Sequence, residues 1–149
     1  RLGRLLDALP HFERAVADKD EADEAYNNWG VALMQLRDLP GAADKFSRSL
    51  ALDSTNASAE SNWGNALAGM GMPDDALRHF RRATELQPDL AQAYYNWGAV
   101  LAQQKHWNEA AAQFEIAARL DPSDTDARAN LERVRREMAR TAPAKPTKD

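Results

Sequence analysis

Four asparagines, Asn28, Asn62, Asn96 and Asn130, follow one another at intervals of 34 residues. A primary amide carries an acceptor oxygen and two N–H donors, the complement of a peptide main chain, so a row of amides can hold an extended segment by its backbone. If the four sit on neighbouring helices roughly 8–10 Å apart, and an extended chain advances roughly 3.3 Å per residue, one rung would serve about every third residue of a guest. Asn27, Val31, Met34, Asn65 and Tyr95 fall in the same stripes and would set preference among guests. The competing use of such amides is internal: they could bond adjacent helices and keep a stack in register.

Other chemistry has little to stand on. His11 and His79 occupy the same register two intervals apart and His106 stands in a turn, so no two histidines have the i, i+4 spacing of a helical metal site. They read as surface residues. The carboxylates are scattered, and Asp74, Asp75 and Asp121 read as helix caps or partners of the helix dipole. There is no phosphate-cradling glycine loop, no nucleophile elbow and no cysteine. Neither a cofactor nor a metal is expected, and the chain is not expected to be an enzyme. A net charge of −4 with no basic stripe across the repeats argues against nucleic acid. No apolar run is long enough to enter a membrane, so the reading is of a soluble, cytoplasmic protein.

The elements that must carry the asparagines repeat with the same period. Gly30, Gly64 and Gly98 each close an Asn-Trp-Gly triplet. They are followed in register by Ala42, Ala76 and Ala110, by Phe46, Phe80 and Phe114, and by Leu52, Leu86 and Leu120. A shared period of this length signals an array of stacked supersecondary units. Each unit divides into two apolar stripes at helical spacing, the first through Ala25, Trp29, Ala32, Leu33 and Leu36, the second through Ala42, Ala43, Phe46 and Leu50. Pro40, Pro73 and Asn108 mark helix starts, and Pro88 and Pro122 separate one unit from the next. A glycine inside a helix costs about 1 kcal/mol relative to alanine, so the three glycines imply close approach of a neighbouring helix, with the phenylalanines filling the space between. Trp29, Trp63 and Trp97 read as core residues. Trp107 stands in a turn, where its indole could pack across the helix junction or anchor a ligand.

This pattern resembles the tetratricopeptide repeat family: Trp29-Gly30, Ala42, Phe46; Trp63-Gly64, Ala76, Phe80, Ala83, Pro88; Trp97-Gly98, Ala110, Phe114, Ala117, Pro122. Departures are Ser49 for an alanine, Ser54 for a proline, and Leu33, Leu67 and Leu101 where an aromatic is common. The resemblance implies an all-α fold, a right-handed solenoid of antiparallel helix pairs closed by a C-terminal capping helix. It divides the chain into a partial repeat over 1–22, repeats over 23–56, 57–90 and 91–124, a capping helix over 125–140 and a disordered tail over 141–149.

Both ends carry expectations. Ala8, Phe12 and Ala15 match the second-helix signature, which would leave Leu2, Leu5, Leu6, Leu9, Phe12 and Val16 facing an absent partner helix. The chain is read as cut from a longer array, with self-association through that face as the alternative. In the last helix Ala127, Leu131, Val134 and Met138 keep an apolar stripe while Glu132 and Arg135 replace glycine and leucine.

The resemblance also implies a function, a noncatalytic scaffold or adaptor that takes a protein or peptide in a concave groove lined by first helices. The asparagine row is similar to the one in the repeat arm of O-linked N-acetylglucosamine transferase, so the alternative is the recognition arm of a larger enzyme such as a glycosyltransferase. The electrostatic clamp by which chaperone adaptors of the family grip a terminal carboxylate is missing, because no basic residue occupies the stripe before Arg133.

Overall fold

The computed structural model describes residues 2–17 and 22–141, with side chains from residue 9 onward. Eight helices follow one another among them: α1 Leu2–Ala15, α2 Ala22–Gln35, α3 Leu39–Leu52, α4 Ala57–Gly69, α5 Pro73–Leu86, α6 Ala91–Gln103, α7 Trp107–Leu120 and α8 Thr125–Thr141. The fold is an all-α repeat solenoid. Thr141, expected to open the tail over 141–149, instead closes α8, and the rest of that tail lies outside the described residues. So do the side chains of Leu2, Leu5 and Leu6.

Each hairpin is locked by a ring seated in a notch. A Cβ placed on Gly30 would stand 2.5 Å from Phe46 Cε1, one on Gly64 2.7 Å from Phe80 Cε1, and one on Gly98 3.0 Å from Phe114 Cδ1. All three rings are completely buried, as are Ala42, Ala76 and Ala110 beside them. The helix pairs α2–α3, α4–α5 and α6–α7 therefore approach to a distance set by an aromatic ring pressed on bare backbone.

Turns repeat as faithfully. Each first helix ends with an N–H five residues on returning to a carbonyl, Asp38 to Leu33, Met72 to Leu67 and His106 to Leu101, all at 2.9 Å. The residue before each of these donors, Arg37, Gly71 or Lys105, takes a left-handed backbone, with φ of 67°, 78° and 62°. Glycine does this without steric cost, whereas arginine and lysine do not. Caps are less regular than the repeat. Asp38 accepts from Gly41 N–H and Asn56 from Ala59 N–H, but Met72 and His106 make no side-chain cap. Asp74 and Asp75 lie in the first turn of α5 instead, and Trp107 is the first residue of α7. Asp53 and Asp121 end α3 and α7, where the hydroxyl and N–H of Thr55 and of Ser123 hold their carboxyls below the usual range.

Stacking gives the array its curvature. Successive first helices meet, α2 with α4, α4 with α6 and α6 with α8, whereas α3, α5 and α7 have no Cα atoms within 8 Å of one another. Spacing is thus tighter on the side of the first helices, which line the inner curve. At the near end Leu9 packs toward the cluster around Phe46, and Phe12 stacks on Trp29 with centroids 6.3 Å apart. At the far end Ala127, Leu131 and Val134 are buried and Met138 packs against their cluster, so α8 covers the last hairpin with one apolar face.

Two substitutions test this packing. Gly64→Ala should lower stability, because overpacking against an immobile ring costs about 1–3 kcal/mol and outweighs the roughly 1 kcal/mol that alanine gains within a helix. The loss should shrink when Phe80→Leu removes the ring, and thermal unfolding of the two single variants and the double variant reads the coupling. Ser49 is fully buried with no partner for its hydroxyl among the described residues, at the position held by Ala83 and Ala117 in the next units. Ser49→Ala should raise stability by about 1 kcal/mol in denaturant titration; a loss would mean that the hydroxyl is satisfied.

Candidate functional site

The inner surface carries an unusual charge distribution. Helices α2, α4 and α6 contain no lysine or arginine, while α8 contains five arginines. Amides and small or aromatic side chains dominate the stretch between Glu24 and Gln103 that faces inward.

Within it the asparagines already have work. Asn62 Nδ2 donates to Asn27 Oδ1 at 3.0 Å, and Asn130 Nδ2 donates to the Tyr95 hydroxyl at 3.0 Å. Both bonds span 35 residues and join neighbouring first helices at the same register. Between them, at the corresponding step from α4 to α6, Ser61 is buried and Asn96 instead accepts from Gln92 Nε2, one turn back on its own helix, at 3.0 Å. Asn28 is exposed. One amide hydrogen of Asn62 and one of Asn130 therefore hold the stack together. Their carbonyl oxygens, and the Asn96 N–H groups, have no protein partner among the described residues.

Two hollows lie along this surface. Asn27 and Asn28 line the first with Glu24, Asn56 and Ser58, a polar depression of about 270 Å³ between α2 and α4. Tyr95 and Asn130 line the second, of about 480 Å³, between α6 and α8. Val31 and Met34 pack in part on the cluster around Phe46, and Asn65 is half-buried on α4. The structure thus groups Asn27 with Asn28 and Tyr95 with Asn130, and commits part of Val31 and Met34 to the core. Tyr95 also meets Phe114 edge-on, with centroids 5.7 Å apart.

The histidines separate by environment. His79 is half-buried rather than freely exposed at the surface: its ring centroid lies 4.3 Å from that of Trp63, and its Nδ1 is 2.6 Å from Glu60 Oε2. In the preceding unit Lys45 occupies this register, with its ammonium 4.3 Å from the centre of the Trp29 ring. The slot over the first-helix tryptophan is a packing position, which explains His79 without a ligand. Lys45, and Arg48 with it, also hold the Asp44 carboxyl below its ordinary range. Among the described residues no three histidine or carboxylate side chains converge, and no helix is long and apolar enough to cross a membrane.

The tetratricopeptide repeat family profile matches residues 1–57 and 61–125. Solved structures share the fold: the Arabidopsis OM64 TPR domain, with a TM-score of 0.75 at 23% identity over 80% of this chain and 98% of that one, and the Sgt2 TPR domain from Aspergillus fumigatus, 0.75 at 21% over 85% and 87%. The first TPR of Spaghetti (RPAP3), bound to the HSP90 peptide SRMEEVD, aligns with a TM-score of 0.77 at 19% identity over 82% and 96%. At such identities the likeness is one of fold. No curated protein matches the sequence.

Proposed function

The chain belongs to the tetratricopeptide repeat family, and from that premise we propose that it is a noncatalytic interaction module that holds an extended protein segment along its inner curve. The observation that carries this reading is the set of polar groups left over on the first helices once the stack has taken its share. Asn62 and Asn130 each spend one N–H internally and keep an acceptor, while Asn96 keeps its donors. Asn28 stands exposed at the near end of the row. Acceptors and donors spaced along a shallow curve complement the N–H and C=O groups of an extended guest.

Charge argues for a mode unlike that of the Spaghetti domain's guest, which ends in Glu-Glu-Val-Asp. An acidic terminus needs cations, and α2, α4 and α6 have none. Along these three helices the guest is held by neutral hydrogen bonds and by contacts with Val31, Met34, Asn65 and Tyr95, so affinity there depends weakly on salt.

Peptides selected from a displayed library of random decapeptides with blocked ends supply the test. Asn62→Ala combined with Asn96→Ala should weaken binding about tenfold, the sum of two ordinary hydrogen bonds, and by a similar factor whatever the guest's side chains. Circular dichroism should show native helicity. Unchanged affinity in a correctly folded double variant would remove the ladder from the binding mode.

A further inference from the structure

The hollow between α6 and α8 is larger than the polar depression between α2 and α4 and is lined differently, and the register shows why. Ala99 and Ala102 on α6 stand where α2 has Val31 and Met34, and Trp107 stands where the first hairpin has Leu39. In the first hairpin Met34 packs beside Ala66, and Leu39 reaches Gly69 so closely that an added Cβ there would lie 2.8 Å from its Cδ1. That wedge is filled. At the far step Ala99 and Ala102 line an open hollow of about 480 Å³ together with Tyr95, Trp107 and Val134. This falls within the size range of ligand-binding clefts.

Its rim carries both signs, Glu137 and Arg133, of which the acid already has a partner. Glu137 is held by Arg140 at 2.6 Å, and Arg135 is shared between Glu115 and Glu132. Arg133 lines the hollow with no ion pair among the described residues, at a register occupied by Val31, Asn65 and Ala99 in the earlier units. It is the first cation that the inner surface offers after the uncharged or acidic faces of α2, α4 and α6. The Tyr95 hydroxyl accepts from Asn130, so its own proton is available to a guest carbonyl.

Resting on the groove reading above, we propose that this hollow is a side-chain pocket that selects an aromatic residue followed or preceded by Asp or Glu. The aromatic ring lies on the alanine floor between Tyr95 and Trp107, and the neighbouring carboxylate pairs with Arg133. The backbone ladder holds any extended chain, whereas this pocket decides which one and in what register. It differs from recognition of a chain terminus, since both partners are internal side chains.

The same blocked decapeptide library, selected on the full 149-residue chain, should enrich an aromatic beside an acid. With a selected peptide, Ala102→Met, which installs the residue of the first unit, and Arg133→Glu should each weaken binding about tenfold. Arg133→Glu should also shift preference toward a guest with Lys in place of the acid. Replacing the aromatic by Ala should cost the parent protein affinity and leave Ala102→Met unaffected. No enrichment, or equal binding of the selected peptide to the parent and both pocket variants, overturns the pocket. If Asn62→Ala with Asn96→Ala still weakens all guests, the groove survives that result; if it does not, the groove falls independently.

Discussion

A phenylalanine ring lying on the bare backbone of a glycine, once in every 34 residues, is the contact on which the rest depends. It sets how close the two helices of each hairpin come, and any side chain larger than hydrogen at Gly30, Gly64 or Gly98 would meet Phe46, Phe80 or Phe114 at 2.5–3.0 Å. Because the three contacts are nearly the same, the three hairpins are nearly the same shape. Identical shapes stacked by identical turns leave equivalent side chains in line, and only then can residues 34 apart in sequence act together in space. Neither a row of amides nor a hollow between two first helices would exist without that uniformity.

Uniformity also creates a conflict at the inner curve. First helices crowd together there, so a polar side chain in that interface must find a partner on the next helix, and Asn27–Asn62 and Tyr95–Asn130 do so at the same register. The two uses considered for the asparagines are therefore not exclusive. An amide has more hydrogen-bonding groups than one neighbour can satisfy, and the bond to the adjacent helix fixes the direction of those that remain. On the proposed reading, holding the stack and preorganising a surface for a guest would be two effects of one side chain.

The helical architecture was legible because its signals are local or strictly periodic. Trp-Gly and Ala-Phe at fixed distances specify helices and their notches, and Ser49 could be recognised as a misfit from its place in the repeat alone. What depends on the third dimension was not. Arg37 and Lys105 take a left-handed backbone that only Gly71 advertises, because the turn geometry is imposed by the returning N–H rather than by the residue. His79 looked like a surface histidine because nothing in its neighbourhood along the chain reveals Trp63 beneath it and Glu60 beside it. The bonds at a separation of 35 residues escaped for a related reason: they link consecutive stripes diagonally, one position off the period.

In an array of equivalent units, a preference for one guest over another cannot come from what the units share. Shared residues present the same surface at every step and hold a chain equally well in any register. Selectivity must come from positions where the repeat is broken, and on the inner curve the last step differs from the first at four of them: Ala99 and Ala102 for Val31 and Met34, the second change already present as Ala68 in the middle unit, Trp107 for Leu39, and Arg133 for a neutral residue. Each taken alone reads as drift. Together they remove volume from the floor, add an aromatic wall and place a cation at the rim, three changes that coincide at one hollow of about 480 Å³. Within the described residues α8 covers the core with Ala127, Leu131 and Val134, while Glu132, Arg133 and Arg135 lie on its exposed faces.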